Sequence, residues 1–154
     1  MKLHQLSMAR LGCAAIGFLF FTALGAPLRA GEIKLDAQLV WGTNEEKSPD
    51  LKHKPVEPNV ARKLKSMPFK WQHYFEVNRK QFAVAGGETR KITLSKDCEI
   101  KVRDAGKGVV EVQLFGKGAS VGKIVQSLPK GELLVIGGNA SNFTSWFVVL
   151  RQAD

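Results

Sequence analysis

An all-β fold, an antiparallel β-sandwich or meander of about seven to nine strands with one short basic helix in a crossover, is what this sequence predicts. Three observations lead there. Apolar residues alternate with polar ones through most of the chain, the period of half-buried strands. Clusters of Gly, Asp, Ser and Lys interrupt that alternation about every ten residues, the spacing of antiparallel hairpins. Beyond the N-terminal segment only Cys98 remains, so no internal disulfide can form and the fold must rest on an apolar core.

The chain opens on Lys2, His4 and Arg10 without an acid, runs through an almost wholly apolar stretch from Leu11 to Leu24, and reaches Leu28-Arg29-Ala30 before Gly31. This pattern is that of a signal peptide over residues 1–30, cleaved near Ala30; the apolar run is too short for a confident membrane span. Cys13 precedes that run instead of following it, which fits a lipid-anchor site poorly. Residues 31–154 then form a single β-rich domain, long enough to bury a core of its own. Three of the 23 Lys and Arg lie in the first thirty residues and all 14 acids lie after them, so the net charge changes from +9 for the whole chain to +6 for the exported part.

Ile33, Leu35, Ala37, Leu39 and Trp41 share one face of a first strand, with Glu32, Lys34, Asp36 and Gln38 on the polar face. Residues 42–58 carry Pro49, Pro55 and Pro58 among charged side chains and read as a polar connector. Asn59 is positioned to cap a short helix over 59–67, with Val60, Leu64 and Met67 on one side and Arg62, Lys63 and Lys65 on the other; Pro68 ends it. Phe69, Trp71, His73, Phe75 and Val77 alternate as a second strand. Shorter strands follow around Phe82 and Val84, Ile92 and Leu94, Cys98 to Val102, and Val110 to Leu114. The last runs, Val121 to Val125, Leu133 to Ile136 and Trp146 to Leu150, are apolar on both faces and are therefore expected to be central.

Chemistry is harder to find. The two Gly-Lys-Gly loops, at 106–108 and 116–118, resemble anion cradles, but they flank one strand of about seven residues and so sit about 20 Å apart at opposite sheet ends. Hairpin turns explain both. Neither a Walker loop nor a dinucleotide fingerprint is present: Lys117 stands where the first glycine of a Walker loop ending at Lys123 would be required. No serine lies in a nucleophile elbow, and the carboxylates are scattered, so an enzyme is not expected, nor a cofactor or bound metal. Trp41, Trp71 and Trp146 fall in strand-like runs and are assigned to the core in preference to sugar stacking. Asn139 and Asn142 begin glycosylation sequons that matter only in a host able to use them.

The functional expectation is therefore an exported, non-enzymatic module, periplasmic or secreted, for binding or assembly in the cell envelope. Its partner would be an acidic envelope component, another envelope protein or the membrane surface, and not nucleic acid, which export disfavours. The residues expected to make the contact are Lys52, Lys54, Arg62, Lys63, Lys65 and Lys70, from the connector and helix. The rival is a small secreted enzyme or metal carrier using His73 and Cys98.

Overall fold

The computed structural model describes residues 31–139 and 144–153. The predicted signal segment and the Asn142 sequon lie outside the described residues. The architecture is mostly antiparallel β, with two sheets and one short helix. The strands are β1 (Glu32–Thr43), β2 (Lys54–Pro55), β3 (His73–Ala85), β4 (Thr89–Ser95), β5 (Cys98–Gly106), β6 (Val109–Gly116), β7 (Ala119–Ser127), β8 (Leu134–Asn139) and β9 (Ser145–Gln152), with helix α1 (Pro58–Ser66) between β2 and β3. One sheet has the order β2-β3-β1-β9-β8; the other is the meander β4-β5-β6-β7.

The meander follows directly from its alternation. Ile92, Leu94, Ile100, Val102, Val110, Val112 and Leu114 point inward and are buried. Its outer face is polar and internally paired: Lys91 meets Glu99 and Lys123 meets Glu111, each at 2.8 Å, and the Lys101 ammonium lies 5.0 Å from the Phe115 ring centre. Both Gly-Lys-Gly segments are hairpin turns, with Lys107 and Lys117 themselves at φ 55° and 49° between glycines. Those positive φ values suit the tight connections that match strand twist.

Facing the meander, Leu35, Ala37, Leu39, Val148 and Leu150 supply the other half of the inter-sheet core. Each fully buried Leu or Val side chain there contributes about 1.5–3 kcal/mol. The back of the same sheet is covered too. Val60 and Leu64 of α1 pack onto Val40, Tyr74, Phe147 and Val149, so β1 and β9 are buried on both faces.

Several expectations need correction. Phe69 and Trp71 alternate like strand residues but precede β3; they fold back onto Phe147, with ring centres 4.6 and 5.9 Å from it. The run around Phe82 and Val84 belongs to the same long β3. Of the three last runs only β9 is central, because β7 and β8 take the sheet edges. Asn59 does not cap α1. Glu57 occupies the cap position without a side-chain bond, Pro58 opens the helix, and the Asn59 Oδ1 accepts the Val60 N–H at 2.8 Å. Asp36 and Gln38, placed on the polar face of β1, are 1 and 2 % exposed.

Their burial has a specific cause. Asp36 on β1 accepts hydrogen bonds from Arg79 Nε at 2.9 Å and Arg151 Nε at 3.0 Å, from the strands on either side. Both arginines continue to Glu57, Arg151 through Nη1 at 2.9 Å. Two carboxylates and two guanidiniums thus pin the start of α1 to three strands. The network holds Glu57 below the usual carboxylate range, through hydrogen bonds from Arg151 first and Arg79 second. The Gln38 amide, beside this network, has no hydrogen-bond partner among the described residues.

Candidate functional site

The six cations expected to contact a partner are carried by three different pieces of backbone. Lys52 sits in a self-bonded turn: its N–H donates to Asp50 Oδ1 at 2.9 Å, and His53 N–H returns to the Asp50 carbonyl at 3.1 Å. Lys54 belongs to the two-residue β2, paired with Glu76 on the edge of β3. Arg62, Lys63 and Lys65 lie on α1, with Arg62 and Lys65 exposed and Lys63 half-buried, and Lys70 follows the helix on an exposed stretch. None of the six makes an ion pair among the described residues, in contrast with Arg79, Arg151, Lys91 and Lys123.

Arg62 and Lys63 border a shallow depression with Glu132 and Leu133, whereas Lys65 borders another with Glu46 and His73. The cations therefore surround the helix and do not form one continuous stripe. The apolar side of the helix is also spoken for. Val60 and Leu64 are fully buried against the protein's own sheet, so that side is not open to a partner.

The structure adds a site that sequence reasoning missed. At one end of the sandwich the two sheets part around a cleft of about 620 Å³. Trp41 and Trp146, register partners on β1 and β9, line it from one sheet. Asp97 and Lys117 stand at it from turns of the other sheet, joined by a 2.8 Å bond from the Lys117 N–H to the Asp97 carbonyl. Pro49 and His53 of the connector form its outer wall.

His53 is held there by the turn that carries it. Ser48 Oγ lies 2.7 Å from its Nδ1 and Asp50 Oδ2 lies 3.7 Å from its Nε2. A serine, a histidine and an aspartate thus touch, but all three come from one six-residue turn, and Ser48 Oγ also accepts the Asp50 N–H at 3.3 Å. The arrangement is a turn lock.

Cys98 forms part of the cleft floor and is 5 % exposed. Burial, with a smaller contribution from the Glu99 charge, pushes its thiol up to about 11. The histidine sharing its cleft is His53; His73, opposite Thr43 at the start of β3, lines a separate depression. The pairing of His73 with Cys98 is accordingly not formed. Among the described residues no group of three or more His, Cys, Asp and Glu is gathered as a metal site would require. Alkylation of Cys98 in the folded protein at pH 8 should proceed orders of magnitude more slowly than after denaturation, because the thiolate is scarce and enclosed. Equal rates in the two states would mean the floor of the cleft is open.

Comparison with family models, with characterised proteins and with solved structures finds no match to this chain.

Proposed function

We propose that this chain is an exported, non-enzymatic module for binding or assembly in the cell envelope, contacting an acidic partner through α1 and the connector before it. The observation that carries this reading is the way α1 is mounted. Its start is pinned by Asp36, Arg79, Arg151 and Glu57, its apolar side is consumed internally, and Arg62 and Lys65 are exposed and make no ion pair among the described residues. Cations fixed on a short rigid element keep their field directed outward, whereas those on a mobile loop would average it away.

Export is part of the proposal and rests on the sequence pattern of residues 1–30. Capture begins with long-range attraction to the net positive charge and ends in short-range contacts around the helix. Any apolar share of that contact comes from a sheet edge, since Val60 and Leu64 are occupied. The β7 edge, with Val121 and Val125 46 and 55 % exposed, is the most apolar one available among the described residues.

The test is a variant carrying Arg62→Gln, Lys63→Gln and Lys65→Gln together. Co-sedimentation with isolated envelope fragments at low ionic strength should weaken by about tenfold or more, as three surface cations near an anionic layer contribute about 1 kcal/mol each. High salt should abolish the difference between variant and parent. Sedimentation unchanged at low salt would remove this surface from the account.

A further inference from the structure

We propose that the cleft between the two sheets is a binding site for a neutral carbohydrate, with pyranose rings stacked on Trp41 and Trp146. The size is suitable, since small-molecule sites commonly span about 300–1,000 Å³. The chemistry narrows the choice of ligand. Both indoles are half-buried, and neither N–H is among the buried polar atoms left without a partner, so each stays within reach of water or a ligand. The site therefore combines two indoles with polar groups from Asp97, Lys117 and His53.

The two rings are held in place by their surroundings. Trp41 has the Phe75 ring 6.0 Å away and the His53 ring 6.3 Å away. Trp146 lies against Gly116, where an added Cβ would come within 3.1 Å of its Cζ2, so the glycine makes room for the indole. Such pre-organisation limits the side-chain entropy lost on binding.

Alternative ligands fit less well. An acyl chain would satisfy none of the polar side chains at the cleft, His53, Asp97 and Lys117 among them. An anion would gain from Lys117 but meet Asp97, and a cation the reverse. Opposite charges facing a cleft with an apolar floor favour a neutral ligand rich in hydroxyl groups, which donate to Asp97 and accept from the indoles. A pyranose supplies both the hydroxyls and an apolar C–H face for the rings.

The experiment uses the protein from residue 31 onward, with isothermal titration calorimetry against triacetylchitotriose, maltotriose and cellotriose, and laurate as the acyl arm. At least one trisaccharide should bind saturably with a Kd of about 1 mM or tighter. Trp146→Ala and Trp41→Ala should each weaken it about tenfold or more. Trp146→Phe, which keeps a ring and deletes the N–H, should fall between parent and alanine variant and guards against an alanine variant that does not fold. No heat with any trisaccharide at millimolar concentration would overturn the proposal. So would trisaccharide binding that survives both alanine variants in folded form, or binding of laurate alone.

Discussion

Asp36→Ala should cost about 3–5 kcal/mol of folding stability, because it leaves two guanidiniums facing a buried site without the carboxylate that joins them. Asp36 is 1 % exposed and accepts from Arg79 and Arg151 at once, and the carboxylate left to both arginines, Glu57, lies at the more exposed end of the network. Urea titration followed by far-ultraviolet circular dichroism reads the change directly. A loss below about 1 kcal/mol would show that the arginines find other partners and that the network is not a structural anchor.

The same network gives a pH dependence whose sign is fixed. Glu57 is held below its ordinary value of 4.5 by Arg151 and Arg79. A carboxyl whose folded pKa is depressed contributes stability that is fully present above the unfolded value and disappears as pH falls through the folded one. Acidification below about pH 4.5 should therefore loosen the start of α1, and Glu57→Gln should remove that part of the acid dependence while lowering stability at neutral pH.

The second large effect is expected at Phe147. Its ring is 1 % exposed and has Phe69, Trp71 and Tyr74 around it at 4.6, 5.9 and 6.1 Å between centres. Two glycines create the space it fills. A Cβ at Gly42 would come within 2.9 Å of the ring and one at Gly137 within 2.6 Å. Phe147→Ala should cost about 3–5 kcal/mol and collapse the near-ultraviolet signal of the aromatic cluster, while Phe147→Leu should retain part of both. A native urea midpoint in the alanine variant would mean that α1 and the segment before β3 are held by something else.

These two sites mark the boundary of what the sequence discloses. The meander was legible because each of β4, β5 and β6 buries one face only, so Ile92, Ile100, Val102 and Val112 announce themselves by period two. In the first sheet β1 and β9 are buried on both faces, and there the rule misleads. Asp36 and Gln38 look solvent-facing until α1 and two distant arginines are brought over them. Nothing local to residue 36 signals that Arg79 and Arg151 are its neighbours. Strand β1 also contains a register shift between Leu39 and Val40, which changes the phase of the alternation against β3. Val121 and Val125 erred in the opposite direction: they are apolar enough for a central strand, but β7 has no neighbour on its far side.

The candidate site was readable to a similar extent. The cations were visible as composition, and the structure changes their meaning by assigning Lys52 to the cleft-side turn and Arg62, Lys63 and Lys65 to the mounted helix. The cleft was not readable, since it depends on Trp41 and Trp146 meeting in register across strands more than one hundred residues apart. A tryptophan at the end of an otherwise inward-facing run was the available signal, because side chains at strand ends lie where two sheets begin to part.

The most direct measurement of the central claim is affinity capture from a native envelope fraction with the tagged protein from residue 31 onward. It is run beside the Arg62→Gln, Lys63→Gln, Lys65→Gln variant, with low-salt and then high-salt washes and mass spectrometry of what is retained. An acidic component should be held by the parent at low salt, released or reduced at high salt, and missing from the variant. The same material retained equally by both proteins, or nothing retained by either, would contradict it.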